Sequence, residues 1–233
     1  MKKSALFSVS AFVLLSGCKK LDTTAPVISI SQGSSMTISL PAAAGQNVWT
    51  APTVTATDDQ DGDLTSWITA SADPDVNQKG VYSVKYSVSD QTGNSTDAYF
   101  TVSVVNDAES FAGNYAVHDS VPALPAFNYS MNISTDNFVN NKIHFNSGMY
   151  NSSAVGFACY QNNFTVYAFV AGSSVTIPQQ TVGPIGTDNS THDFNGAGPV
   201  TSTSPVTFNI TYTDHDQTNS TTASGCVQTY VHQ

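Results

Sequence analysis

Phe127-Asn128-Tyr129-Ser130-Met131-Asn132-Ile133-Ser134 alternates apolar and polar residues without a break. A strand turns successive side chains to opposite faces, so Phe127, Tyr129, Met131 and Ile133 share one face and Asn128, Ser130, Asn132 and Ser134 the other. A period of two this regular describes a sheet with one buried and one wet face. Val206, Phe208, Ile210 and Tyr212 repeat the pattern near the C-terminus. Around these two runs, 127–135 and 206–213, lie further strand-like segments at 114–118, 142–146, 154–160, 164–171, 174–178, 192–195 and 221–231. Stretches 183–191 and 196–204, rich in Gly, Pro, Ser and Thr, read as loops. Eight or nine strands in succession with short polar links predict an up-and-down β-barrel over residues 109–233.

The preceding stretch, 26–106, carries shorter strand-like runs at 27–30, 36–40, 53–57, 66–70, 81–89 and 98–105. Val81-Tyr82-Ser83-Val84-Lys85-Tyr86-Ser87-Val88 has apolar residues on both faces and reads as a central strand with two covered sides. Asp90-Gln91-Thr92-Gly93-Asn94 is a turn cluster that joins it to 95–105 as a hairpin. Several short strands with frequent turns predict a β-sandwich. The fold class is therefore all-β: a sandwich followed by a barrel. Asn106-Asp107-Ala108-Glu109 reads as a short polar link between separable modules.

Specific motifs sharpen both halves. Ala25-Pro26-Val27-Ile28 opens the first module, Thr53-Val54-Thr55-Ala56-Thr57-Asp58-Asp59-Gln60-Asp61-Gly62-Asp63-Leu64-Thr65 sits in its middle, and Gly80–Asp90 with Gly93-Asn94-Ser95 closes it. This module resembles the immunoglobulin-like domain repeated in bacterial surface proteins and found in some pesticidal crystal proteins. The resemblance implies a spacer or presenting domain, since such a fold carries no activity by itself. Phe111-Ala112-Gly113-Asn114-Tyr115-Ala116-Val117, Val175-Thr176-Ile177-Pro178-Gln179-Gln180 and Phe208-Asn209-Ile210-Thr211-Tyr212 resemble the calycin-like C-terminal domain of small Bacteroidota lipoproteins. That resemblance implies a lipocalin-type barrel and an envelope location, with no activity attached.

The N-terminus agrees with an envelope location. Met1-Lys2-Lys3 is a short positive segment, and the apolar stretch 5–15 is too short to span a bilayer, which takes roughly 20 residues. Leu15-Ser16-Gly17-Cys18 resembles a bacterial lipobox. The resemblance implies a signal peptide over 1–17, cleavage before Cys18, acylation there (diacylglycerol on sulfur, a fatty acyl chain such as palmitate on the new amine), and a tether over 18–25. Several acyl chains anchor a protein stably where one does so marginally. Asp22-Thr23-Thr24 and Asp119-Ser120-Val121 resemble the short O-glycosylation motif of Bacteroidota export proteins.

Charge excludes whole classes of ligand. The chain has no arginine, and its seven lysines face 17 acidic residues for a net charge of −10. Phosphate recognition depends on Arg and Lys, so nucleic acids and nucleotides are excluded as partners. The same scarcity argues against polybasic attachment to anionic lipid and leaves anchoring to the acyl chains.

No catalytic constellation stands out. Asp58-Asp59-Gln60-Asp61-Gly62-Asp63 places Asp59, Asp61 and Asp63 at alternate positions around a glycine, a spacing able to converge on Ca²⁺. No Glu closes the loop as in an EF-hand, and the same string reads preferentially as an inter-strand loop built on Asx turns. The five histidines form no metal-type pair, and HExxH, CxxC and GxSxG are absent. His215, flanked by Asp214 and Asp216, offers a weak surface cation site at best. The barrel half has few acids (Glu109, Asp119, Asp136, Asp188, Asp193, Asp214, Asp216), mostly in predicted links, whereas a glycosidase needs two carboxyls facing across a cleft. Tyr115, Tyr129, Tyr150, Tyr160, Tyr167, Tyr212 and Tyr230 read mostly as barrel filling, and Trp49 and Trp67 as packing residues of the sandwich. Cys159 and Cys226 remain once Cys18 is lipidated. In an oxidising compartment they are either a disulfide or two separate buried thiols.

These features predict a non-enzymatic, lipid-anchored envelope protein held to the outer membrane, using no metal and no cofactor. It would bind a glycan or an envelope protein, or serve as a scaffold. A hydrolase carried on the barrel and a purely structural envelope component are the alternatives.

Overall fold

The computed structural model describes residues 21–122, 125–146, 166–185 and 190–233, and they build two β domains. In the first, β1 (Val27–Ile30), β3 (Val54–Asp58) and β4 (Gly62–Asp63) form one sheet in the order β1-β3-β4. The other sheet has the order β2-β7-β6-β5, from β2 (Ser35–Ser39), β5 (Thr69–Ala70), β6 (Gly80–Ser89) and β7 (Ser95–Val105). β6 and β7 form the expected hairpin, in register from Gly80↔Val104 to Ser89↔Ser95, while β2 runs parallel to β7. Leu40, Val84, Tyr86, Phe100, Val102 and Val104 are buried between the sheets, with Ile28, Ile30, Trp49 and Val54 packed against them.

The second domain is a closed barrel of β8 (Gly113–Ser120), β9 (Phe127–Thr135), β10 (Lys142–Phe145), β11 (Val166–Ala171), β12 (Ser174–Ile185), β13 (Ser190–Thr203), β14 (Val206–Asp216) and β15 (Thr221–His232). Each strand pairs antiparallel with the next, and β15 returns to β8 through Val227↔Ser120 to His232↔Tyr115, so the barrel is up-and-down. Tyr129, Met131 and Ile133 turn inward as the alternation requires. A short 3-10 turn, Glu109–Phe111, precedes β8, and its Phe111 packs on Phe208 with ring centroids 5.9 Å apart. Phe208 stacks on Tyr230 at 4.5 Å and meets Tyr115 edge-on at 5.6 Å. This half of the interior is filled. Gly113 opens β8 at φ 146°, and a Cβ there would sit 2.1 Å from the His232 ring of the closing strand. Only glycine meets both conditions.

Three expectations are corrected. Val84, Tyr86 and Val88 of β6 share one face and are buried, whereas Val81 is 76% exposed; β6 is central in its sheet but covered on one side only. Residues 196–204 are largely not a loop: Gly196 to Thr203 continue β13 between β12 and β14. The glycines there serve close approach, since a Cβ on Gly198 would lie 1.9 Å from the Asn209 carbonyl oxygen. Residues 66–70 form a 3-10 turn, Thr65–Trp67, and the two-residue β5 rather than one strand. The strand expected at 154–160 lies outside the described residues.

The link between domains is not a free spacer. Asn106 is 1% exposed. Its Nδ2 donates to the carbonyls of Asp136 and Val139 at 3.0 Å and of Lys142 at 3.3 Å. Its Oδ1 accepts from the N–H groups of Ala108 and Asn141. One side chain thus ties the end of β7 to the β9–β10 turn of the barrel. Asp107 and Asn140 bond each other twice, the Asn140 N–H reaches the Pro41 carbonyl, and the Lys79 N–H reaches that of Asn137. Burial would raise the Asp136 carboxyl in this turn. The N–H groups of Phe138 and Val139, with His144 and Lys142, outweigh burial and hold it at about 2.

Replacing Asn106 by Ala strands several buried backbone groups at once. We expect a loss of about 3 kcal/mol in urea unfolding of the full chain, with the transition separating into two steps as the domains uncouple. A single unshifted transition would contradict the junction.

Candidate functional site

The inward stripe of β14 reads Val206, Phe208, Ile210, Tyr212, Asp214, Asp216, passing from apolar to acidic along the barrel. Its neighbours follow the same gradient: Tyr115, Val117 and Asp119 on β8, and Tyr230, Gln228 and Cys226 read backwards along β15. The end of the barrel opposite the aromatic filling is therefore a buried polar cluster. The Asp119 carboxylate accepts from the Tyr212 hydroxyl at 3.1 Å and the Gln228 amide at 3.0 Å. Gln228 Nε2 also donates to the Tyr129 hydroxyl, and its Oε1 accepts from the Tyr230 hydroxyl at 2.6 Å. Beside this, His192 Nδ1 lies 2.8 Å from Asp214 Oδ1, both residues being buried. Asp216 accepts from the backbone N–H groups of Thr218 and Asn219 and from the Asn219 amide.

The electrostatics keep protons in place. Burial pushes the Asp119 carboxyl up, and the Gln228 and Tyr212 hydrogen bonds only partly offset it. Burial, followed by the Asp119 charge, drives the Tyr212 and Tyr230 hydroxyls well above the usual phenol range. Burial likewise raises Tyr129, with Tyr230 and Asp119 adding to it. Burial also raises the Cys226 thiol against a lowering hydrogen bond from Tyr212, which favours its protonated form. Around Asp119 the cluster gathers hydroxyl and amide donors that hold their protons, with the His192–Asp214 pair beside them.

Cys18 and Cys159 lie outside the described residues, as do Asp188, Tyr150 and Tyr160. Cys226 is fully buried and faces the barrel interior. Asp59, Asp61 and Asp63 do not converge: Asp61 Oδ2 accepts from the Gln91 N–H and Asp63 Oδ1 from that of Thr65. Asp58 Oδ1 caps the loop by accepting from the Gln60 and Asp61 N–H groups. His215 points away from its acidic neighbours, because Asp214 and Asp216 face inward while it bonds Thr222 on the outer face. Asp119, Asp214 and Asp216 stand on strands rather than in links, and Asp193 lies on a strand as expected from 192–195. Tyr115, Tyr212 and Tyr230 are core, as expected.

Trp67 is not a packing residue. It is 49% exposed and borders a shallow groove of about 210 Å³ lined also by Thr69, Ser87, Val88 and Ser89. A half-exposed indole beside hydroxyl groups is the kind of surface that binding sites favour. Among the described residues every lysine is already paired: Lys79 with Glu109, Lys85 with Asp97 and Lys142 with Asp136.

The raised Asp119 pKa has a definite sign. The folded state favours the protonated acid, so its contribution to stability is complete below the unfolded pKa and is lost as pH rises through the folded value. Asp119→Asn keeps an acceptor for Tyr212 and removes the buried charge. We expect its melting temperature, relative to the parent, to increase as pH is raised from about 4 to about 7. A difference constant across that range in calorimetry would contradict the assignment.

Residues 28–104 match the model of the bacterial surface protein Ig-like domain family, which accounts for the first domain. No curated protein matches the chain in sequence. Among solved structures, a lipoprotein from Bacteroides thetaiotaomicron is similar at 14% identity and a TM-score of 0.34, covering 89% of this chain and all of that one. A protein of unknown function from Bacteroides ovatus is similar at 12% identity and a TM-score of 0.40, over 88% of this chain and 75% of that one. A carbohydrate-binding module with its adjoining domains from Clostridium perfringens ZmpB, in complex with GlcNAc, is similar at 14% identity and a TM-score of 0.28, over 89% and 44%. Likeness at this level carries no ligand with it. The first domain is an Ig-like domain of the bacterial surface-protein type.

Proposed function

We propose that this chain is a lipid-anchored protein of the outer membrane that binds a neutral, hydroxyl-rich ligand such as a glycan without transforming it. The anchor is Cys18, and the barrel is of the calycin kind. The observation that carries the binding reading is the half-exposed Trp67 at a groove edged by Thr69, Ser87 and Ser89. An aromatic face with hydroxyl neighbours suits a sugar ring. The pairing of each described lysine favours uncharged over anionic ligands. The reading as a binder rather than a hydrolase is supported by the barrel cluster, where Asp119 is engaged by Tyr212 and Gln228, and Asp214 by His192. No helix among the described residues is long and apolar enough to cross a membrane, and a lipid at Cys18 supplies an attachment.

Two measurements test these points. Cells expressing Cys18→Ser should take up no fatty-acid label into the protein and should lose it from the membrane fraction. Label retained by the variant would remove the lipoprotein reading. On a glycan array the full chain should select neutral glycans, with Trp67→Ala weakening binding at least tenfold, about 1.4 kcal/mol, and the parent's tryptophan emission should shift on titration. Selection of sulfated or uronic glycans alone, or binding indifferent to Trp67→Ala, would overturn it.

A further inference from the structure

We propose a calcium site formed by Asp22, Asp58 and Asp59, pinning the segment that precedes β1 to the turn that follows β3. One carboxylate oxygen from each residue lies within 4.8 Å of those from the other two. Oxygens that ligate one Ca²⁺ at about 2.4 Å lie at most about 4.8 Å apart across the ion, so the spacing suits a shared cation.

The second observation concerns satisfaction. Asp22 is only 6% exposed. Its Oδ1 accepts from the Thr24 N–H at 3.0 Å, while its Oδ2 is buried with no hydrogen-bond partner. Asp58 repeats the arrangement: Oδ1 takes the Gln60 and Asp61 N–H groups, and Oδ2 is buried and unpartnered. A buried carboxylate oxygen with neither donor nor cation is costly, and carboxylates this close repel. No described lysine relieves them, since each is paired elsewhere. A bound cation answers both costs.

The frame is built independently of the ion. The Asp22 carbonyl accepts from Asn94 Nδ2 at 3.3 Å and Thr92 Oγ1 at 3.5 Å, on the β6–β7 turn. Asp90 fixes that turn by accepting from the N–H groups of Thr92 and Asn94 and from the Asn94 amide at 2.7 Å. Asp22 is therefore held from one side while its side chain faces Asp58 and Asp59 on the other. The donor set is oxygen alone, which selects a hard cation over zinc or copper. Ca²⁺ tolerates irregular shells of 6 to 8 oxygens, completed here by water, whereas Mg²⁺ demands a regular octahedron. The site lies just beyond Cys18, so an ion there would shorten the free tether of the proposed anchor. The site itself does not depend on that anchor.

The test uses the full chain in detergent, stripped with a chelator and titrated with Ca²⁺ in a calorimeter. We expect one ion per chain, with a dissociation constant of about 10⁻⁴ to 10⁻³ M as in extracellular modules, and a higher melting temperature with Ca²⁺ than with chelator. Asp22→Asn and Asp58→Asn should each weaken binding at least tenfold. Asp63→Asn, whose carboxylate serves Thr65, should bind as the parent does. In chelator, Asp58→Asn should melt no lower than the parent, because one of the repelling charges is gone while the Oδ1 acceptor remains. The absence of a saturable calcium heat in the parent, or unchanged affinity in Asp22→Asn, would overturn the site.

Discussion

A strand with an unpaired edge leaves a row of backbone donors and acceptors without partners, and the barrel removes that problem by closure. Here closure rests on β15 meeting β8 through six residue pairs, from Val227↔Ser120 to His232↔Tyr115. Much else is arranged to allow it. Gly113 admits the His232 ring where a side chain would block it, and Tyr115 packs against that ring at 4.9 Å. Tyr115 of β8 meets Tyr230 of β15 edge-on across the seam at 6.3 Å, and Phe208 of β14 stacks on Tyr230 behind it. The same first strand begins seven residues after Asn106, so the seam that closes the barrel lies close in sequence to the side chain that docks the sandwich on it.

A second constraint is chemical. With no arginine and few lysines, this chain satisfies many of its carboxylates with amides, hydroxyls and backbone N–H groups. Asp90 takes Thr92 and Asn94, Asp216 takes Thr218 and Asn219, and Asp119 takes Gln228 and Tyr212. Such partners stabilise a charge without cancelling it. Where they run out, as at Asp22 and Asp58, oxygen atoms are left buried without a donor. The acidic character of the surface and the proposed cation thus have one origin. The proposed preference for uncharged ligands rests on the same scarcity of positive groups.

The barrel's interior holds a buried polar cluster centred on Asp119. Asp119 is buried, raised in pKa and surrounded by titratable side chains, which are common attributes of catalytic acids. Its neighbours, however, are phenols and an amide that hold their protons, and the thiol nearby is driven toward its neutral form. The cluster orders the polar half of the barrel much as the aromatic stack orders the other half.

The alternation in 127–134 and 206–212 was enough to declare strands, their inward faces and an all-β barrel, because a period of two is a local property of the chain. The Ig-like domain was equally legible from its turn motifs. The ends of the strands were not. Sequence reading stops β8 at His118 and β14 at Thr213, where the apolar pattern ends, yet both continue through Asp119 and Asp216 with polar side chains still turned inward. A buried Asp beside Tyr212 and Gln228 leaves no local sign, since its partners come from strands about a hundred residues away. Gly196 to Thr203 resembled a loop because glycine and proline usually mark one, and only the neighbouring strands explain why they extend β13. Asn106 read as polar linker until the β9–β10 turn surrounded it, and Asp22 met Asp58 and Asp59 only when the chain before β1 folded back beside β3. Periodicity and turn chemistry belong to neighbours in sequence; hydrogen-bond satisfaction and charge clustering belong to neighbours in space, and only the tertiary structure supplies those.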